Sequence, residues 1–186
     1  MRTETTKKLF TVDEFERLSD AGIFNEEDRF ELIEGEIIQM SVPGNRHVAC
    51  TNRANTLFTE AFGRRAIVSV QNPLFLNLYN LPIPDVVALR PRVDFYESQR
   101  LASEDTLIVV EIAVTTLSYD RRVKLPLYAA AGVPEVWIED LKHGLLLAYR
   151  EPIGESYQTS LTLPRSDSLS PLAFPDTVFK VEELLG

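Results

Sequence analysis

An acidic residue, Glu111, interrupts a stretch of the sequence that is otherwise apolar. The stretch 107–114 reads LIVVEIAV, and a nearly continuous apolar run is typical of a strand buried on both faces. Because burying an unpaired carboxylate costs several kcal/mol, Glu111 should have a cation, a metal ion or a proton as its partner. The alternative is a carboxylate that points outward at a sheet edge or pairs with an arginine.

A second acid, Asp85, begins another apolar segment, 86–89. Alone, a Pro-Asp pair is a weak signal because aspartate commonly begins strands and turns. Two acids at the ends of adjacent buried strands, however, form an oxygen-rich site of the kind that Mg²⁺ or Mn²⁺ prefers. The sequence therefore predicts a metal site at Asp85 and Glu111.

A lysine follows on the next predicted helix. Asp120, Lys124 and Tyr128 are each four residues apart, so a helix would place them on one face. The alternative for Lys124 is an exposed ion pair with Asp120, worth a few tenths of a kcal/mol. Beside a two-carboxylate site, the lysine would instead orient or help to deprotonate a metal-bound water and offset phosphate charge.

These residues need a sheet with helices to position them. Apolar spacing, caps and breakers predict helices at 11–22, 47–62 and 117–131, and a hairpin at 30–38. Strands are predicted at 66–70, 73–79, 83–89, 107–114, 136–138 and 145–149, followed by an irregular C-terminal third with a short turn at 181–185. Pro126 should kink or delay its helix. The predicted fold is an α/β (α+β) mixed central sheet flanked by helices.

The composition is that of a folded globular chain. Of 186 residues, 45% are hydrophobic and 25% charged, which excludes a disordered tail protein and predicts a single domain over 1–186. One cysteine, Cys50, favours a reducing compartment. There is neither a signal-peptide pattern nor an uncharged apolar run near the roughly 20 residues of a membrane helix, so we expect a cytoplasmic protein that does not enter a membrane.

The charge is unevenly distributed. The formal net charge is −9, which argues against strong non-specific binding to nucleic acid. Residues 41–130, in contrast, carry a net +2. This mildly basic middle leaves room for a local patch that faces phosphate.

The pattern of Pro84-Asp85, Glu111 on a buried strand and a following lysine resembles the PD-(D/E)XK nuclease superfamily. From about residue 11 to 185, the chain is similar to the Uma-type family of bacterial proteins classed as restriction endonucleases. The segments that carry the resemblance are RFELIEGE at 29–36, GNRH at 44–47, QNP at 71–73, PDVVAL at 84–89, VEIA at 110–113, YDRRVKLPLY at 119–128 and GVPEVWI at 132–138.

The resemblance implies a restriction-endonuclease-like domain with a metal ion, Mg²⁺ or else Mn²⁺, held by Asp85, Glu111 and the backbone carbonyl of Ile112. The usual lysine lies two residues after the second acid, where this chain has Ala113. In the Uma-type family that lysine has moved to the following helix, and Lys124 matches the new place. Val114 stands where relatives often carry an acid, so a second-metal or supporting ligand is missing.

Other polar residues in these segments are weaker candidates. Glu34, His47 and Asp120 are expected to line the substrate, although His47 is equally well explained as a helix-start residue satisfied by its neighbours. Glu31 and Glu36 are assigned to the solvent face of the hairpin. Trp137 is expected in the core rather than as a platform for a nucleic-acid base.

The resulting hypothesis is a metal-dependent endonuclease that cleaves DNA, in which a metal-activated water attacks the phosphodiester. Cutting both strands of a duplex takes two sites, so a homodimer is expected. A protein that retains the fold and binds DNA or another partner without cleaving is the first alternative. A hydrolase for some other phosphoester is the second, since fold analogy does not establish the substrate.

Overall fold

The computed structural model, which describes residues 6–25 and 28–186, is built around a six-stranded mixed sheet. The strand order is β3-β4-β5-β6-β7-β8, and every neighbouring pair is antiparallel except β5 with β6. The predicted α+β fold with a mixed central sheet is therefore confirmed. The strands are β3 (Ile67–Val70), β4 (Val86–Leu89), β5 (Thr106–Ala113), β6 (Glu135–Asp140), β7 (Leu145–Ile153) and β8 (Ser156–Pro164).

Helices cover both faces of this sheet. The long helix α2 (Asn45–Phe62) and the C-terminal α5 (Val181–Leu185) pack on one face, where aromatic side chains fill the core. The largest of these, Trp137, is completely buried and meets Phe58 edge-on. Trp137 is thus a core residue, as predicted. A second hydrophobic cluster, which includes Tyr128, fills the opposite face.

An N-terminal unit lies beside the main sheet. Helix α1 (Val12–Asp20) begins with a capping box formed by Thr11 and Glu14, which satisfies two backbone donors at once. The strands β1 (Phe30–Ile33) and β2 (Glu36–Gln39) form the predicted hairpin. Its turn residues Glu34 and Gly35 both have positive φ, as a tight hairpin turn requires. A backbone bridge from Leu32 to Leu81 joins the hairpin to the segment before β4.

The parallel pair β5 and β6 is connected by a single helical segment, residues 117–130. It consists of α3 (Leu117–Tyr119), a π-helical turn (Asp120–Lys124) and α4 (Leu125–Ala130). In the π turn, the Leu125 N–H donates to the Asp120 carbonyl, five residues back. The turn directly precedes Pro126, which has no N–H to donate. The sequence correctly indicated a disturbed helix here, and the disturbance is a π turn rather than a late start.

Two of the predicted elements are wrong. The segment 73–79 forms only isolated bridges, at Phe75 and Asn77, instead of a strand. The expected irregular C-terminal third contains the nine-residue strand β8, whose half-buried residues alternate with exposed ones. The period-2 signal of Tyr157, Leu161 and Leu163 is weak because the polar Thr159 occupies the half-buried position between Tyr157 and Leu161. The short strands β9 (Ser168–Leu169) and β10 (Phe179–Lys180) follow.

Within the described residues, no helix combines the length and the hydrophobicity needed to cross a membrane.

A buried acid without a hydrogen-bond partner lies on β6. Glu139 pairs in register with Ile112, and neither of its carboxylate oxygens is hydrogen-bonded within the described part of the chain. Burial raises the pKa of Glu139 well above its usual value, and the charge of Arg53 only partly opposes the shift. The native state consequently favours the protonated acid, and a raised native pKa gives stability that is lost as pH increases.

We predict that Glu139→Gln is more stable than the wild type at pH 8 and equally stable near pH 4.5. Below the unfolded pKa of about 4.3, both states hold the proton, whereas above it folding must take one up. The stability difference should therefore grow by at most about 1.4 kcal/mol per pH unit. Urea denaturation between pH 4.5 and 8 measures it, with Glu60→Gln on the exposed side of α2 as the control. If the free energy of unfolding changed with pH in the same way for the wild type and Glu139→Gln, the prediction would be contradicted.

Candidate active site

A half-enclosed cavity of about 470 Å³ lies where the hairpin, the start of α2, the ends of β4 and β5, and the 117–130 helix meet. Acidic residues and one lysine form its buried polar part, and apolar residues of the segment 38–43 form another part. Its polar and charged lining residues are Arg29, Glu31, Gln39, Ser41, Arg46, His47, Gln71, Asp85, Glu111, Thr115, Thr116, Tyr119, Asp120 and Lys124.

Asp85 is fixed in position by hydrogen bonds from three directions. Its Oδ2 accepts a bond of 2.8 Å from the Ile112 N–H, and both of its oxygens lie 3.1 Å from His47 Nε2. Gln71 Nε2 donates to Oδ1 at 3.2 Å. Burial opposes ionisation of Asp85, but these bonds and the charge of Lys124 leave its pKa below the usual value. Asp85 is therefore a carboxylate at neutral pH.

Glu111 is buried on the β5 face that packs against the 117–130 helix. The hydroxyl of Tyr128 donates to its Oε1 at 2.6 Å, and Lys124 Nζ lies 3.3 Å from the same oxygen. Burial raises the pKa of Glu111 well above its usual value; Lys124 opposes the shift, whereas Asp120 and Asp85 reinforce it. A cation close to Glu111 would thus strongly favour its ionised form.

Lys124 joins the hairpin to this carboxylate. Its Nζ lies 2.7 Å from Glu31 Oε1, and the same Glu31 oxygen accepts a 2.7 Å bond from the Ile83 N–H. Burial disfavours the ammonium ion, but the charges of Glu111 and Glu31 outweigh it and raise the pKa of Lys124. The alternative for Lys124, an exposed ion pair with Asp120, is wrong, because Lys124 is only 3% exposed and pairs with acids from β1 and β5.

Lys124 reaches Glu111 from the side of the sheet on which residue 113 also lies. On β5, Glu111, Val109 and Ala113 share the face that packs against the 117–130 helix. A lysine at 113 and a lysine on that helix therefore approach Glu111 from the same side of the sheet. In this fold, either placement lets the lysine reach Glu111 from the same side of the sheet.

Gln71 connects the cavity floor to its rim. Besides its bond to Asp85, it accepts a hydrogen bond of 3.2 Å from Arg29 Nη1. Its φ is +52°, a left-handed conformation that is strained for residues other than glycine. Sequence reasoning missed Gln71 as a site residue, although it lies in one of the segments that carry the family resemblance.

The structure brings most of the sequence-predicted residues together. Asp85, Glu111, Ile112 and Lys124 all line the cavity, and so do the weaker candidates His47 and Asp120. Burial raises the pKa of Asp120 to about 6, with Lys124 partly opposing the shift. Thr116 Oγ1 donates to its Oδ2 at 2.8 Å.

Two glutamates of the hairpin differ from expectation. Glu34 was expected to line the substrate, but it is exposed in the β1–β2 turn and lies outside the lining of the cavity. Glu31 was assigned to solvent, but it is 1% exposed and contacts Lys124. The correction has a physical reason: both faces of β1 are covered, since Leu32 packs in the N-terminal cluster and Glu31 faces the cavity.

The donor set fits a hard divalent cation. Glu31, Asp85, Glu111 and Asp120 place four carboxyl groups in the cavity, one more than its three permanent cations Arg29, Arg46 and Lys124. The hydrogen bond from Tyr128 and the ion pair with Lys124 both use Oε1 of Glu111. No group of three or more His, Cys, Asp or Glu side chains suited to a metal ion occurs within 6–25 and 28–186. Mg²⁺, however, commonly takes only one or two protein carboxylates and keeps several waters.

Comparison with known proteins places this geometry in context. A family model described as "Uma2: Putative restriction endonuclease" matches residues 12–182. A crystal structure titled as a putative nuclease belonging to DUF820, from Anabaena variabilis, has a TM-score of 0.71 to this chain at 18% identity. The match covers 95% of this chain and 97% of that chain, and at this identity it shows a shared fold. No curated protein matches.

We predict that Lys124→Met destabilises the protein by about 3–5 kcal/mol, because removal of one partner leaves buried carboxylates without compensation. Those carboxylates would have raised pKa values, so the loss should be larger at pH 8 than at pH 5. Urea denaturation at both pH values measures this. Arg122→Met, exposed on the same helical segment, is the matched control and should change stability by less than about 0.5 kcal/mol. Equal effects of the two substitutions would refute the prediction.

Proposed function

The chain belongs to the Uma2 family of restriction-endonuclease-like proteins, and from this premise we propose that it is a metal-dependent endonuclease that hydrolyses DNA phosphodiester bonds. One observation carries the proposal. Asp85, immediately before β4, and Glu111, on the adjacent β5, share a half-enclosed cavity with a buried lysine. Two carboxylates and a cation in that arrangement suit the hydrolysis of an anionic ester.

The residues proposed to hold the metal are Asp85, Glu111 and the backbone carbonyl of Ile112. The excess of acid around Lys124 and the hard oxygen donors favour Mg²⁺, with Mn²⁺ as the alternative. When bound, such an ion supplies a more acidic water and neutralises the charge that develops on the phosphoryl group. Two residues would keep the ligands oriented: His47 contacts Asp85, and Tyr128 donates to Glu111.

The remaining charged residues have distinct proposed roles. Lys124 stabilises negative charge on the phosphate, while Glu31 holds its ammonium group in place from the hairpin. As water adds to phosphorus, one P–O ester bond breaks, and the departing oxygen takes up a proton. Asp120, with a pKa of about 6, can hold or release a proton near neutral pH. Arg29 and Arg46 line the same cavity and would contact neighbouring phosphates.

A non-cleaving protein that binds DNA or another partner is the second candidate. The net charge of −9 favours the version that binds another partner, since an acidic chain gains little from the release of counterions on DNA. The replacement of the usual strand lysine by Ala113 favours it too. Retained DNA binding without cleavage across metals and substrates would select this candidate over the enzyme.

The homodimer, the cytoplasmic location and the single domain over 1–186 stay predictions. A homodimer would supply the two sites that a double-strand cut needs. Sedimentation of the purified protein, alone and with a duplex, would test it directly.

We predict plasmid cleavage by the wild type with Mg²⁺ or Mn²⁺ and a loss of about 100-fold or more in Asp85→Asn and Glu111→Gln. Each substitution keeps the side-chain shape but removes a proposed metal ligand, and loss of one charge-stabilising group typically costs about 10²–10³-fold in rate. Conversion of supercoiled to nicked and linear plasmid is the readout. Glu34→Gln, an exposed acid of the neighbouring hairpin, is the matched control.

Cleavage that persists unchanged in both variants would point to a contaminant or to a different site. Wild-type silence combined with tight DNA binding would support the non-cleaving candidate instead.

We further predict that Mg²⁺ or Mn²⁺ raises the thermal unfolding midpoint of the wild type and not that of Asp85→Asn. A ligand that binds only the native state stabilises it by about 2.7 kcal/mol at one hundred times its Kd. Differential scanning calorimetry with increasing metal, and with chelator as the reference, measures the shift. Glu34→Gln should respond like the wild type. An undiminished shift in Asp85→Asn would exclude this residue as a ligand.

A further inference from the structure

Apolar side chains from two separate segments line the same cavity as the acidic residues. Residues 38–43 contribute Ile38, Met40, Val42 and Pro43, and residues 114–119 contribute Val114 and the ring of Tyr119. A cavity that bound only phosphate and a metal ion would have no use for this lining. It points to a substrate with a flat apolar part next to its phosphate.

Val42 is the most conspicuous of these residues. Its side chain is 89% exposed, although it lines a cavity whose acids are buried. The segment that carries it is anchored at its start, where the Met40 N–H donates to the Arg29 carbonyl at 2.8 Å. The following helix begins at Asn45, and Arg46 is held to the Leu141 carbonyl at 2.6 Å. The exposed Val42 thus lies between two residues, Met40 and Arg46, that hydrogen bonds hold in place.

Tyr119 is the aromatic residue of the lining. The hydroxyl is buried and has no hydrogen-bond partner within the described residues, while the side chain as a whole is half-buried and lines the cavity. An aromatic ring is a surface on which nucleic-acid bases stack, worth about 5- to 150-fold in affinity per base. Val114, which stands where an acid was expected, extends the apolar lining next to it.

On these observations, and resting on the proposed nuclease function, we propose that the cavity accepts an unpaired nucleotide of DNA, whose base packs against Tyr119 and the Met40–Val42 wall while its phosphate reaches the acids. A base inside a continuous duplex is stacked on both faces and cannot offer one to the protein without leaving the helix. The volume of about 470 Å³ is in the range of small-ligand sites, about 300–1,000 Å³. The preferred substrates are therefore single strands, bulges or gaps.

The first test compares oligonucleotides of one sequence as single strand, bulged duplex and fully paired duplex. Cleavage with Mg²⁺ is measured for the wild type, and binding is measured by fluorescence anisotropy with the Asp85→Asn protein. The proposal expects a preference of at least about tenfold for the single strand and the bulge over the paired duplex. An equal or stronger preference for the paired duplex overturns the proposal of an unpaired nucleotide. Cleavage of that duplex would still support the nuclease function.

The second test uses matched side-chain changes. Tyr119→Ala should weaken binding of the single strand by about 5- to 150-fold, and Val42→Ser should weaken it too, whereas Tyr119→Phe, which keeps the ring, should retain it. Val93→Ser, at a fully exposed valine outside the cavity, is the control and should change nothing. A loss in Tyr119→Phe as large as in Tyr119→Ala would overturn the stacking role and assign the hydroxyl.

The outcomes separate this inference from the function on which it rests. If the wild type cleaves no nucleic acid in any form, the endonuclease proposal fails, and the anisotropy comparison still decides which strand form the cavity takes. If Val42→Ser instead changes the sedimentation of the free protein, the exposed valine belongs to a contact between copies of the chain and the proposal is overturned.

Discussion

One buried ammonium group, that of Lys124, connects three separate parts of this chain. It contacts Glu31 of the hairpin and Glu111 of the central strand β5, while its own backbone belongs to the helical crossover. Each acid alone would be costly to bury, and the lysine alone would be as well. Together they are tolerated, and the hairpin, which forms a two-stranded sheet of its own, is thereby tied to the site.

The balance of charge in the cavity also determines how its other polar groups are stabilised. The cavity holds more carboxyl groups than Lys124 can neutralise. The remaining acids are therefore stabilised by hydrogen bonds. Asp85 is stabilised by Ile112, His47 and Gln71, whereas Glu111 relies on Tyr128. The result is one acid, Asp85, whose pKa lies below its usual value and a second, Glu111, whose pKa stays high although Lys124 lies beside it. A site of this kind responds strongly to the arrival of positive charge.

How much of this was predictable depended on the local signal at each residue. Glu111 stood out because an acid in an apolar strand has no ordinary explanation, and Lys124 because its four-residue spacing fixed its helix face. Glu31 was missed for the opposite reason: in a four-residue strand, alternation with Leu32 normally assigns one residue to solvent. Its burial results from the distant segment around Ile83, which contacts it. Contacts between distant segments, such as that of Gln71 with Arg29, leave no periodic trace in the sequence.

The π turn at Asp120–Lys124 constrains the length of the crossover as well as its residues. A π turn holds one residue more than an α turn of the same rise. The extra residue is accommodated inside the turn, so α3 and α4 keep nearly the relative rotation that they would have in an uninterrupted α-helix. The crossover is therefore one residue longer than an α-helix of the same rise, and Tyr128 still faces Glu111.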